Sequence, residues 1–129
     1  MKLLIDTYFV ILLADDRIEQ SPQLNQNIIL HESSEVFVSV ASLWEVEIKS
    51  RIGKLPLKNP VRNWRGILEN AGARILPVEL QHVVADIGPE PETNDPFDRL
   101  LLSTCAAEKS RLVTVDRQLV NHPLAWRES

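Results

Sequence analysis

Short apolar runs typical of β-strands alternate with longer stretches of helical periodicity along the 129 residues. The predicted strands are Lys2–Ile5, Val36–Ser39, Arg74–Val78 and Leu112–Val115, with a further edge strand near Trp126. Because strands separated by helices are joined by right-handed crossovers, the helices come to lie on both faces of a parallel sheet. The alternation predicts an α/β fold with three α/β/α layers and a central parallel sheet of four to five strands.

Helical segments fill the intervals between these strands. Ser21 and Pro22 suit an N-cap and a first helical residue, and Gly53 and Gly72 suit the ends of two later helices. The predicted helices are Thr7–Ala14, Pro22 to about Leu30, Ala41–Arg51, Val61–Ala71, Leu80–Asp86 and Pro96–Lys109. No repeat or interdomain linker interrupts the pattern, so we expect residues 1–129 to form one domain.

Composition narrows the class of protein. The chain is 44% hydrophobic and 25% charged with a net charge of −4, which excludes a globally basic nucleic-acid binder. Cys105 is the single cysteine, so no intramolecular disulfide and no cysteine-based zinc site is expected. The longest apolar run, Tyr8–Ala14, is too short to cross a membrane. These features predict a cytoplasmic protein without a membrane segment.

Two aspartates stand at the carboxyl ends of predicted strands. Asp6 follows the first strand and Asp116 follows the last, and ligands of an open parallel sheet bind at that edge. Thr114 lies two residues before Asp116, so its hydroxyl can face the same site. A turn or a helix cap would explain either aspartate alone, whereas the pair indicates a site.

Glu45 is a third acidic candidate. At helical spacing it shares a face with Ala41, Ile48 and Ile52. A carboxylate on an apolar face needs a cation, a hydrogen-bond network or a metal nearby. An exposed ion pair with Lys49, one turn further on, is the alternative interpretation.

The segment Asn94–Asp98 begins the longest predicted helix. Asp95 suits the N-cap, Pro96 the first helical position, and Asp98 the third, where a carboxylate favours the positive end of the helix. Asp98 also lies on the helix face that carries Leu101, so it is the better candidate for a metal ligand. Asp95 is interpreted as a helix cap, as a group just outside the direct ligands of a metal, or as a second ligand.

Carboxylates that converge on one edge repel one another unless divalent cations neutralise them. Oxygen ligands of this kind favour Mg²⁺ or Mn²⁺, and such a site suits the hydrolysis of a phosphodiester. No histidine or cysteine nucleophile is then required. The candidate metal ligands are Asp6, Glu45, Asp95, Asp98 and Asp116.

Four segments, in this order and spacing, resemble the PIN-domain ribonucleases over essentially the whole chain, specifically the VapC-type toxins of bacterial toxin–antitoxin pairs. They are Leu3–Thr7, Val38–Glu45 with the following Lys49 and Gly53–Leu55, Asp95–Leu101 and Leu112–Arg117. The resemblance implies a PIN-like fold and a metal-dependent endoribonuclease. The implied Mg²⁺ or Mn²⁺ ligands are Asp6, Glu45, an aspartate of the Asp95/Asp98 pair and Asp116, with Thr114 supporting them.

The resemblance also implies RNA as substrate, a homodimer, and a small antitoxin through which operator DNA is bound. Arg99 and Arg117, each beside a predicted ligand, are candidate contacts to RNA phosphate, with a general surface role as the alternative. The chain departs from the family where Tyr8 replaces a common histidine and where Thr93 and Asn94 replace a commonly basic stretch. These departures concern substrate contacts, because no carboxylate is lost.

Two other classes of protein fit parts of the pattern. A phosphoacceptor receiver domain also holds Mg²⁺ at strand ends, but it needs an aspartate after the third strand and a lysine after the last. Here the third strand leads into Pro77–Glu79, and Lys109 precedes its strand. A catalytically idle PIN-fold interaction module is the second alternative, and intact acids at all four positions argue against it.

Overall fold

A central sheet of four parallel strands organises the computed structural model, which describes residues 1–128. The strands are β1 (Lys2–Ile5), β2 (Glu35–Ser39), β3 (Ala73–Leu76) and β4 (Arg111–Val113). Their order across the sheet is β3-β2-β1-β4, and every neighbouring pair is parallel. The predicted α/β fold with a parallel sheet is therefore confirmed.

Helices connect and cover these strands. The helices within residues 1–128 are α1 (Thr7–Ala14), α2 (Gln23–Leu30), α3 (Val40–Arg51), α4 (Trp64–Asn70), α5 (Leu80–Val84) and α6 (Pro96–Glu108). None of these six is long and apolar enough to span a bilayer. α6, the longest, ends where Lys109 takes a left-handed conformation with φ of 55°.

Two helices begin later than the sequence predicts. The segment 61–71 starts as a short 3₁₀ turn, Val61–Asn63, before α4 begins. The hydroxyl of Ser21 donates to the carbonyl of Ile18 at 2.6 Å, so Ser21 closes the preceding turn and does not cap α2. That helix begins at Gln23, with Pro22 in the N-cap position.

The edges of the sheet also differ from expectation. β3 ends at Leu76 and not at Val78, because Pro77 has no N–H group to donate to a neighbouring strand. Near Trp126 the part of the chain that the structure describes forms one isolated bridge, between Leu112 and Ala125, and no edge strand. Of the four to five strands expected, four are present.

Apolar side chains pack on both faces of the sheet. Leu3 and Ile5 of β1 are fully buried on one face with Trp64 of α4. Leu4, between them, is buried on the other face with Leu102 of α6. Successive residues of a strand point to opposite faces, so burial of all three confirms the three-layer arrangement and fixes the carboxyl end of β1 between α1 and α6.

Candidate metal centre

All five acidic candidates line one open cleft of about 390 Å³ at the carboxyl edge of the sheet. β1 and β4 are neighbours, with Ile5 opposite Val113, so Asp6 and Asp116 follow adjacent strand ends. α3 and α6 close the sides of the cleft. The residues that line it are Asp6, Thr7, Tyr8, Ile11, Glu45, Lys49, Asp95, Asp98, Val115 and Asp116.

Asp6 is both the N-cap of α1 and the most deeply buried carboxylate of the cleft. Its Oδ1 accepts the backbone N–H of Phe9 at 3.4 Å, and the residue is 7% exposed. The pKa of Asp6 is raised to about 6, chiefly by burial and also by the charges of Asp98 and Asp116, against hydrogen bonds from Thr114 and the Phe9 N–H that lower it. A buried anion with this pKa is a group that a cation would stabilise.

Glu45 is held by two donors on opposite sides. Its Oε1 accepts the Thr7 hydroxyl at 2.7 Å, and its Oε2 accepts Lys49 Nζ at 2.8 Å. The residue itself is only 9% exposed. Both interpretations of Glu45 therefore hold in part: the pair with Lys49 exists, but it lies in the cleft and not on an open surface.

The expected apolar face of α3 is wrong. Glu45 is buried with Ala41 and Ser42, whereas Ile48 and Ile52 are 36% and 59% exposed. α3 packs against α1 and α6 and buries Ala41, Ser42, Glu45 and Val46, so its buried face only partly overlaps the expected apolar row. Periodicity alone could not separate that face from the adjacent apolar row, because the centres of the two are only about 70° apart on the helix.

Asp98 projects inward from the first turn of α6. Its Oδ2 accepts the hydroxyl of Thr93 at 3.1 Å, and burial, followed by the charge of Asp95, raises the pKa of Asp98 to about 6. Asp95 itself is exposed and caps the helix, its Oδ1 accepting the N–H of Phe97 at 2.8 Å. The two aspartates thus differ in burial although both line the cleft.

Thr93 is a site residue that the sequence analysis noted only as a departure from its resemblance. It is 1% exposed, and its Oγ1 also accepts the N–H of Asp95 at 3.1 Å. A threonine two residues before an aspartate can form a local turn, in which the threonine hydroxyl accepts the backbone N–H of the aspartate. The pattern could have indicated the turn, but not the bond to Asp98.

Thr114 and Asp116 form a second turn of the same kind after β4. Thr114 Oγ1 accepts the N–H of Asp116 at 3.0 Å, and the Thr114 hydroxyl hydrogen-bonds Asp6. Asp116 Oδ1 accepts the N–H of Gln118 at 2.8 Å. Thr114 therefore connects the two aspartates that follow adjacent strands.

Neither arginine that sequence reasoning placed near RNA lines the cleft. Arg99 pairs with Glu90 and lines a separate groove beside α5. Arg117 lines a pocket with Pro89 and His122. The cation that does line the cleft is Lys49, which the sequence offered as an ion-pair partner of Glu45 and as part of a matching segment, without a role toward RNA.

A second acidic cluster lies near the amino end of β1. Glu79, His82 and Glu108 place ligand atoms within 4.8 Å of one another. However, His82 Nε2 lies 2.6 Å from Glu108 Oε2, and His82 Nδ1 accepts the N–H of Glu79. Lys2 Nζ occupies the other Glu108 oxygen at 3.0 Å. Both ring nitrogens are thus in use, and a structural hydrogen-bond network together with the Lys2–Glu108 ion pair explains the cluster.

The residues of the cleft fit a hard divalent cation. They offer only oxygen ligands, which suit Mg²⁺ or Mn²⁺. Two of the carboxylates, Asp6 and Asp98, have raised pKa values caused first by burial, so neutralising charge is what the site lacks.

Comparisons with known proteins identify the fold and the family. The chain is similar in fold to a crystal structure of VapBC2 from Rickettsia felis bound to a DNA fragment from its promoter. The TM-score is 0.64 at 16% sequence identity, covering 97% of this chain and 96% of the other. No curated protein matches in sequence. The PIN domain family model matches residues 3–123. This chain belongs to the PIN domain family.

Proposed function

We propose that this protein is a metal-dependent endoribonuclease that hydrolyses RNA phosphodiester bonds, and that it is the toxin of a toxin–antitoxin pair. The observation that carries the proposal is the convergence of Asp6, Glu45, Asp98 and Asp116 on one cleft. Membership of the PIN domain family supports it. A receiver domain is not compatible with that membership.

The cleft residues would hold Mg²⁺ or Mn²⁺ chiefly through Asp6, Glu45, Asp98 and Asp116. A bound ion of this kind lowers the pKa of a water and stabilises a leaving oxygen. Threonine side chains support three of these carboxylates: Thr7 donates to Glu45, Thr93 donates to Asp98, and Thr114 lowers the pKa of Asp6. Lys49 supplies the remaining donor on Glu45.

A protein antitoxin is the partner that we propose, by analogy with the VapBC2 complex, and operator DNA would be bound through that antitoxin. We also propose a homodimer in the cytoplasm. Exposed apolar side chains support a protein interface: on α3, Trp44 is 62% exposed and stacks edge-on against Phe97 at 5.6 Å.

Calorimetric titration with Mn²⁺, paired with RNA cleavage in the same buffer, tests the function. We expect the wild-type chain to bind Mn²⁺ and cut RNA, and Asp116→Asn to lose both, with cleavage at least about a hundredfold slower. Metal binding without cleavage of any RNA would support the idle interaction module instead. No metal binding at all would contradict the proposed metal centre.

Glu45→Gln and Glu47→Gln form a matched pair on α3. Glu47 makes the same i,i+4 ion pair as Glu45, with Arg51 at 3.4 Å, but on the exposed surface. Cleavage should fall with Glu45→Gln and stay at the wild-type rate with Glu47→Gln. Equal effects would show that the loss of an α3 ion pair, and not a ligand, is responsible.

A further inference from the structure

Lys49 is the one cation among the lining residues of the acidic cleft in the described part of the chain. It stands one turn after Glu45 on α3, with Nζ 2.8 Å from Glu45 Oε2. Its side chain is 50% exposed, whereas that of Glu45 is 12% exposed. The ammonium therefore reaches from the wall of the cleft toward its open side.

The cleft carries much more negative than positive charge, and this imbalance makes the position of Lys49 important for binding an anion. Five carboxylates and one ammonium line it, so an RNA phosphate that enters meets a strong negative potential. The arginines nearest in sequence to the ligands do not relieve it, because Arg99 and Arg117 line other pockets. Besides bound metal, Lys49 is the group in the cleft that attracts a phosphate.

The single contact of Lys49 leaves it capacity for a second partner. An ammonium has three N–H donors, and within residues 1–128 one of them is used, by Glu45. That ion pair would be weaker with a metal held by Glu45, because Lys49 would then share the carboxylate charge. The flexible four-carbon stem of lysine lets its ammonium move to a neighbouring anion.

We propose that Lys49 binds a non-bridging oxygen of the RNA phosphate held in the acidic cleft, exchanging its contact with Glu45 for the substrate when the site is loaded. The assignment rests on the proposed ribonuclease function and adds its substrate-binding residue. Lys49 contacts Glu45 before substrate arrives, so its ammonium already lies beside the carboxylates that would hold the metal.

The test compares Lys49→Met and Lys49→Arg with Arg51→Met, which removes the equivalent exposed ion pair from the same helix. KM and kcat for a mixed-sequence single-stranded RNA are measured in Mn²⁺ at several salt concentrations. Lys49→Met should raise KM about tenfold or more. It should also flatten the dependence of log(kcat/KM) on log salt by about 0.7, the value of one phosphate contact. Lys49→Arg should retain most binding, and Arg51→Met should match the wild type.

Mn²⁺ calorimetry on the same variants separates substrate binding from support of Glu45. Our assignment predicts that Lys49→Met binds Mn²⁺ at least as tightly as the wild type, because Lys49 competes for Glu45. Weaker Mn²⁺ binding with an unchanged salt dependence would overturn it and make Lys49 a positioning residue. A cleaving wild type whose Lys49→Met variant behaves like Arg51→Met would overturn it too. A wild type that cuts no RNA would overturn the proposed function itself.

Discussion

Three carboxylates of the cleft each hydrogen-bond a threonine hydroxyl. Thr7 donates to Glu45, Thr93 donates to Asp98, and Thr114 hydrogen-bonds Asp6. A hydroxyl is a short, neutral donor, so it orients a carboxylate without cancelling the charge that a metal would need. An arginine in place of each threonine would bind the same carboxylate oxygens, but its positive charge would compete with a metal for them. The cleft is thereby kept ordered and anionic at the same time.

Asp6→Asn is expected to stabilise the metal-free protein at neutral pH while abolishing Mn²⁺ binding. Asparagine keeps the shape and the acceptor for the N–H of Phe9 but removes a buried charge whose pKa is raised to about 6. The gain should be on the order of 2 kcal/mol, seen as a Tm several degrees higher. Asp16→Asn, at an exposed aspartate, is the control and should leave Tm unchanged. A lower Tm for Asp6→Asn would show that the charge of Asp6 stabilises the fold.

At the scale of elements, the N-termini of two helices place three of the five acidic groups. α1 begins directly after β1, so its N-cap, Asp6, lies at the sheet edge. α6 brings Asp95 and Asp98 to the same edge through its first turn. A carboxylate at these positions is stabilised by the positive end of the helix, which lowers the cost of gathering like charges in one cleft.

Substitutions at Asp95 separate its capping role from metal binding. Asp95→Asn retains a good N-cap and should leave urea stability unchanged, whereas Asp95→Ala should lose about 1 kcal/mol. Because Asp95 is exposed and Asp98 is turned inward, we expect Asp95→Asn to bind Mn²⁺ nearly as well as the wild type and Asp98→Asn to bind it poorly. Equal loss of Mn²⁺ affinity in Asp95→Asn and Asp98→Asn would identify Asp95 as a main ligand.

At the scale of the whole molecule, stability depends on pH through the buried carboxylates at this edge of the sheet. In the folded state the pKa values of Asp6 and Asp98 are raised from 3.8 to about 6, first by burial. Between pH 3.8 and about pH 6 the folded chain therefore binds more protons than the unfolded chain. The stability that these bound protons contribute is lost as the pH rises through this range. Divalent metal competes with the same protons, so Mn²⁺ affinity should rise over the same range.

Thermal melting with and without Mn²⁺, from about pH 4 to about pH 7, measures this coupling. The metal-free wild type should lose stability relative to Asp6→Asn as pH rises, and the stabilisation by Mn²⁺ should grow. The difference in Tm between the wild type and Asp6→Asn separates the contribution of Asp6 from that of other titrating groups. One such group is Glu108, whose pKa is lowered chiefly by its hydrogen bond to His82. A constant difference across the range would contradict the raised pKa of Asp6.

Local sequence was sufficient to locate the four strands, the six α-helices and the acidic groups at their ends, but it did not give every boundary. β1 and α1 have the predicted bounds, and Asp95 caps α6 as its position before Pro96 indicated. These features depend on residues a few positions apart, through side-chain periodicity and the capping of helix N–H groups. Their alternation also determined that the sheet is parallel, which brings the ends of β1 and β4 together.

Tertiary structure decided which side chains meet in the cleft. The bond between Thr7 and Glu45 joins residues 38 positions apart, and the direction of α3 against α1 and α6 placed Lys49 in the cleft while Ile48 and Ile52 stayed exposed. Arg99 pairs with Glu90 and lines a different groove. The face that a helix buries and the partner that a charge finds are set by packing between distant segments, and neighbouring residues in the chain do not specify them.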